Sequence, residues 1–193
     1  AALKRLYVHE SQYDELSAKL IDIAKQQKVG SGFDEGVTFG PLQNKMQYDL
    51  VNSLIADARD SGATVNETAD VPSGEGYYIA PTIITGAKDG MAVVDKEQFG
   101  SVLPVISYSD VEDAVAKVNS SENGLGGSVW GSDLDEAQKV ASRLECGTAW
   151  INGHAEVLPH APFGGCKMSG FGVEFDQEGL LEYTTIQVVN INR

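Results

Sequence analysis

The sequence predicts an α/β fold, a sheet flanked by helices, and three observations carry that prediction. Through the second half of the chain, β-branched stretches alternate with stretches of helical period in the order β, α, β, α, β. Glycine-bearing stops at Gly30 and Ser61-Gly62 close the helical stretches of the first half. An apolar fraction of 42% over 193 residues is that of a globular protein with a core.

In chain order, LKRLYVH (Leu3 to His9) reads as a strand. The sequence therefore opens inside an element, which predicts a piece of a longer protein. SQYD (Ser11 to Asp14) has the form of a capping box, and Tyr13, Leu16, Leu20 and Ala24 follow at helical spacing. After the loop GSGFDEGVTFGPL, a second helix is expected from about Asn44, with Met46, Val51, Leu54, Ile55 and Ala58 on its apolar face. Ala63 to Val65 is read as a short strand and NETADVPSGEG as a loop; Tyr77 to Ile84 is β-like, with Pro81 forcing an edge or bulge.

The second half is more regular. Val102 to Ser109 reads as a strand, and Asp110 is placed to cap a helix carrying Val111, Ala114, Val115 and Val118. SVW (Ser128 to Trp130) is a short strand; Ala137, Val140, Ala141 and Leu144 mark a helix; and Gly147 to Asn152 is the next strand. Residues 153 to 179 lose periodicity and contain six glycines, long enough to predict a functional loop. Thr184 to Asn192 reads as a terminal strand that needs a sheet to join.

Charge narrows the function. The formal net charge of −14 would repel a phosphate backbone and anionic membrane surfaces, so no nucleic-acid or membrane partner is expected. No apolar run approaches the roughly 20 residues that span a bilayer, and AALKRLYVHE lacks the apolar core of a signal peptide. The two cysteines, Cys146 and Cys166, fit free thiols of a reducing compartment, and the expected location is cytoplasmic.

Isolated motifs reveal no reaction. GLGGSV places Val129 where a dinucleotide fingerprint needs its third glycine, and GGCKMSG lacks the adjacent Gly-Lys-Ser/Thr of a phosphate-binding loop. Tight turns or close backbone packing account for these glycines equally well. His154, Glu156 and His160 are residue types zinc accepts, but their spacing matches no ligand set, so no metal is expected. Lys167 beside Cys166 would lower a thiol pKa, yet no nearby His in the sequence supplies a base.

Several stretches taken together resemble the NAD(P)-dependent aldehyde dehydrogenases. GPLQNKMQ resembles that family's GP-plus-Gln segment, GYYIAPTII its G-x-x-x-x-P-T strand and DKEQFG its E-x-F-G box. ENGLGGSVWGSD with CGTAWIN resembles the approach to its W-x-N strand. PFGGCKMSGFGVE, followed by GLLEYT, resembles the PFGG-x-K-x-SG signature and the terminal YT. The matches run in order across essentially residues 1 to 190.

The resemblance implies an aldehyde dehydrogenase catalytic domain over residues 1–183, lacking its Rossmann-type domain, and an oligomerisation strand over 184–193 that builds a homo-oligomer, dimer or tetramer. It implies NAD or NADP as cofactor, held mostly upstream, and a small-molecule aldehyde as substrate. Glu97 would accept both hydroxyls of the nicotinamide ribose, Phe99 would steady the same moiety, and Gln47 would touch the cofactor from the side. Phe163 and Leu158 would wall the aldehyde channel.

By the same resemblance, the nucleophilic cysteine falls immediately before Ala1, and the general base and oxyanion Asn lie further upstream. No catalytic residue is therefore expected within the chain, and the chain alone is expected to be inactive. Ser101, Val173 and Asp176 depart from the family's usual Pro, Arg and Gly. Two other readings stand beside this one: a non-catalytic assembly module, and a hydrolase using Cys166.

Overall fold

The computed structural model describes residues 1–193. The chain divides into two compact units, residues 2–114 and residues 115–193 together with Ala1. The chain is an α/β protein with a mixed sheet, and no helix in it is long and apolar enough to cross a membrane.

Residues 2–114 form a four-stranded sheet from β1 (Leu6–His9), β2 (Thr64–Glu67), β3 (Thr82–Thr85) and β4 (Val102–Tyr108), in spatial order β1-β4-β3-β2. β4 is parallel to β1 and to β3, while β2 runs antiparallel to β3. Helices α1 (Tyr13–Lys25), α2 (Lys45–Asp60) and the single turn α3 (Ala92–Asp95) cover the sheet.

Side-chain alternation divides the strands between two cores. Ile84, Val102 and Ile106 pack with Val51, Leu54, Ile55 and Ala58 of α2 and with Val93 and Val94 of α3. Ile83 and Val105 pack on the opposite face with Val8 and Ala24, joined by Tyr13, Leu20 and Ile21 of α1. A mostly parallel sheet covered on both faces explains why these strands are apolar at consecutive positions.

Pro104 is fully buried in β4, where a missing N–H ought to break a ladder. It sits at a handover: residues 102–104 pair with β3 and residues 105–108 with β1.

Several expectations change in detail. The capping box at Ser11 does not form; Glu10–Gln12 make a 3-10 turn in which the His9 ring accepts the Ser11 N–H, and α1 starts at Tyr13. Asn44 does cap α2, its side chain accepting from the Gln47 N–H at 2.8 Å, but Met46 faces outward. Residues 77–81 remain outside the sheet and β3 begins only after Pro81, as a residue without an N–H requires. The turn α3 carries no periodicity long enough to be read from sequence.

In residues 115–193, β6 (Gly126–Val129) lies parallel to β7 (Thr148–Ile151) under α5 (Leu134–Ala141), whose Ala137 and Ala141 are buried. The preceding helix α4 (Val111–Asn119) crosses the division between the units; the Asp110 carboxylate accepts the Asp113 N–H at 2.8 Å, capping it as expected. β5 (Asn123–Gly124) pairs antiparallel with β8 (Cys166–Lys167), and α6 (Asp176–Leu181) follows. Residues 153–179 thus hold more structure than their lack of period indicates, including a bridge in which Phe163 and Glu174 exchange backbone hydrogen bonds of 2.8 and 2.9 Å.

No strand forms over residues 184–193 within this chain; the last elements are α6 and a short turn. A lone extended segment finds no ladder partner here, and Ile186, Val188, Val189 and Ile191 are exposed.

Ile84 is fully buried between β4 and α2. Its replacement in Ile84→Ala should destabilise the chain by about 2–5 kcal/mol, read as a lowered midpoint in chemical denaturation.

Candidate functional site

The E-x-F-G box follows α3, which Val93 and Val94 anchor in the core. From there the side chains alternate: Glu97 is exposed, Gln98 is only 6% exposed, and Phe99 is 58% exposed. Gly100 then passes so close to α2 that a Cβ would come within 2.8 Å of Val51 Cγ2. Ser101 donates its hydroxyl to the Ile79 carbonyl at 3.0 Å, and its own carbonyl accepts the Thr82 N–H at 2.7 Å. The box thus presents one carboxylate and one aromatic ring to solvent on either side of a buried amide.

Gln47, in contrast, is buried at 7% exposure in the first turn of α2, and its Nε2 has no hydrogen-bond partner. The structure does not present it to solvent as it does Glu97 and Phe99.

Lys4 precedes β1 and is tied to the same region: its Nζ donates to the Val94 carbonyl and its own carbonyl accepts from Gln98 Nε2 at 3.0 Å. Burial, aided by Arg5, pulls the Lys4 amine down to about 8, against the opposing pull of Asp95 and Glu97. The Tyr7 hydroxyl donates to Asp89 at 2.6 Å, and burial together with that bond raises its pKa well above 10.0.

Residues 115–193 with Ala1 hold the other candidate side chains. Trp150 on β7 is buried; its indole N–H donates to the Glu156 carbonyl at 2.9 Å, and its ring lies 5.3 Å from His154 and 6.5 Å from Phe163. His154 Nε2 is 3.0 Å from the Ala1 carbonyl, which can only accept, so that nitrogen carries the proton; Nδ1 faces the Ser128 hydroxyl at 3.2 Å. This ring is engaged by the backbone and a hydroxyl, and no group of three or more His, Cys, Asp or Glu side chains is placed to hold a metal. Phe163 is half-buried beside Trp150, whereas Leu158 lies exposed on the loop.

Asn152 follows β7 in the left-handed region, φ 54°. Its amide both donates to and accepts from Gly131 at 2.8 Å, a reciprocal clamp that fixes the start of the His154 loop.

The glycines serve close backbone approach. A Cβ on Gly147 would lie 1.7 Å from the Gly164 carbonyl oxygen, and one on Gly126 would strike the Trp150 ring at 2.5 Å.

Lys167 of the PFGG-x-K signature is not presented to a ligand. Its ammonium bonds the Asn119 carbonyl at 2.5 Å and Glu145 at 2.8 Å, while the Asn119 side chain bonds the backbone of Arg143 and Glu145. This hub was missed in the sequence because the partners in its hydrogen bonds and ion pair lie 22 to 48 residues apart. Cys166 donates weakly to the carbonyls of Gly124 and Glu145, and burial pushes the Cys146 thiol up, away from thiolate.

This geometry can be set against known proteins. Residues 1–189 match the sequence profile of the aldehyde dehydrogenase family, and the chain belongs to that family. It is 37% identical to an aldehyde dehydrogenase of Paenarthrobacter nicotinovorans over 97% of this chain and 41% of the relative. It is 35% identical to human retinaldehyde dehydrogenase 3 over 98% of this chain and 37% of that protein. In structure it is similar to the NAD+ complex of a Bacillus cereus aldehyde dehydrogenase, with TM-score 0.90, 34% identity and coverage of 98% of this chain and 39% of that one. It is also similar to an aldehyde dehydrogenase C variant from Pseudomonas syringae complexed with NAD+ and octanal, with TM-score 0.87, 33% identity and coverage of 95% and 38%. The chain thus spans about two fifths of the length of the relatives it matches.

Lys4 yields a test with a defined sign. Its folded-state pKa, about 8, lies below its ordinary 10.5, so between those values the unfolded chain binds more protons and stability rises with pH. Tyr7, raised in the folded state, opposes this above its ordinary 10.0, where the unfolded phenol ionises first. Denaturation between pH 8 and 10 should show rising stability in the natural chain, and Lys4→Met should flatten that rise.

Proposed function

We propose that this chain is the C-terminal part of an NAD(P)-dependent aldehyde dehydrogenase that oxidises an aldehyde to a carboxylate. The observation that carries the reading is the exposed Glu97–Phe99 pair, presented by a buried Gln98 within a chain of this family. The Glu97 carboxylate is exposed, so both oxygens can take ribose hydroxyls, and the adjacent Phe99 ring offers an apolar face to the nicotinamide end. When bound, the cofactor supplies the hydride acceptor.

In this reading a cysteine immediately before Ala1 attacks the aldehyde to give a thiohemiacetal. Loss of hydride leaves a thioester, and a base further upstream activates the water that releases the acid. Phe163, backed by Trp150, walls the aldehyde channel, with Leu158 at its exposed mouth. Gln47 lends a buried amide on the cofactor side. The fit of the chain to NAD+ complexes of the family supports NAD(P) as cofactor.

Aldehyde-dependent reduction of NAD and NADP tests the reading. The 193-residue chain alone should be silent, and the same chain joined to its upstream half should turn over. In the joined protein, Glu97→Ala should raise KM for the cofactor about tenfold or more. A joined, folded protein that reduces neither cofactor with any aldehyde would sink the reading.

The exposed side chains of Ile186, Val188, Val189 and Ile191 favour a second role, that residues 184–193 join a neighbouring subunit's sheet to make a dimer or tetramer. Light scattering of the joined protein should show an oligomer that deletion of residues 184–193 reduces to monomer.

A further inference from the structure

We infer that Gln98 is the positioning residue of the E-x-F-G box, fixing Glu97 and Phe99 relative to the chain that enters β1. The inference rests on the proposed function, in which the nucleophile stands just before Ala1.

The parallel ladder between β1 and β4 begins at Leu6 opposite Val105. Before Leu6 the backbone has no strand partner, yet the Lys4 carbonyl is held: Gln98 Nε2 donates to it at 3.0 Å and to the Val102 carbonyl at 3.2 Å. A primary amide has two N–H groups, one for each carbonyl, so the side chain adds one rung beyond the end of the ladder. At 6% exposure water does not compete for those bonds, and the bonds are correspondingly strong.

A second tie joins the same segments, because the Lys4 ammonium donates to the Val94 carbonyl. Lys4 is thus gripped through its backbone by Gln98 and through its side chain by the end of α3.

The third amide atom shows what the residue is for. Gln98 Oε1 is buried and has no partner, a destabilising arrangement that an apolar side chain of equal length would remove. Such a side chain would fill the same space without joining the two carbonyls. The feature unique to the amide is therefore the link between the β1 entry and the box. With Gln98 turned inward, its neighbours Glu97 and Phe99 are turned outward. In the proposed enzyme the hydride passes from carbon held at the nucleophile to a nicotinamide held at Glu97, and a small displacement of either costs rate steeply.

The test uses Gln98→Met and Gln98→Asn in the chain joined to its upstream half. Gln98→Met keeps the length, drops both donors and sheds the unsatisfied acceptor; Gln98→Asn is too short to reach both carbonyls. Both should lower the rate of hydride transfer about tenfold or more, raise KM for NAD, and enlarge the primary isotope effect with aldehyde deuterated at its carbonyl carbon. The thermal midpoint of Gln98→Met should stay near that of the natural protein. An unchanged rate and isotope effect, or a loss that only follows the folded fraction, overturns the inference.

A second readout is independent of turnover. In the 193-residue chain, Gln98→Met should speed amide hydrogen exchange about tenfold at residues 4–6 and 97–101 and nowhere else; unchanged exchange there overturns the inference. If the joined natural protein fails to turn over, the proposed function falls, while exchange still decides whether Gln98 positions the box.

Discussion

Strand β4 changes partners at a residue that cannot donate a hydrogen bond, and residues 2–114 are arranged around that handover. Because Pro104 ends the pairing with β3 just where pairing with β1 begins, its missing N–H leaves no gap in either ladder. β4 therefore holds strands on both sides while its alternating side chains feed two cores. The E-x-F-G box leads directly into this strand, so the exposed carboxylate and ring stand beside a segment anchored in the core. Gln98 extends the same logic one rung beyond the backbone's own ladder.

Where sequence legibility succeeded, the controlling physics was local. The Asp110 cap, the start of α2 near Asn44, most of its apolar face and the strand β4 involve residues within a few positions of one another, and each stands close to its expected place. At Ser11 local reasoning failed because a neighbour competed: the His9 ring took the N–H that the capping box needed. Pro81 delayed β3, and α3 was too short to show a period.

The candidate site was legible in part. The ordered motifs brought out Glu97, Phe99 and Phe163, but Gln98 occupies the free position of its motif and only its long-range partner Lys4 gives it meaning. Lys167 stands in a motif whose pattern says nothing of Glu145 and Asn119, the groups that hold it. The glycine runs that invite a phosphate-binding reading are explained by carbonyl groups and an indole ring packed against bare Cα atoms.

The Asn152 amide is the one group whose chemical integrity the start of the next loop depends on. It is followed by Gly153, the neighbour that least hinders backbone attack on an asparagine amide, and its clamp on Gly131 depends on that amide's having one donor and one acceptor. Hydrolysis to aspartate releases ammonia and leaves a carboxylate facing the Gly131 carbonyl, two acceptors with no proton between them. The loop bearing His154, and the ring contacts it makes with Trp150, would be let go from that end. Loss of that one exposed amide would thereby be felt in the order of the aromatic cluster beside it.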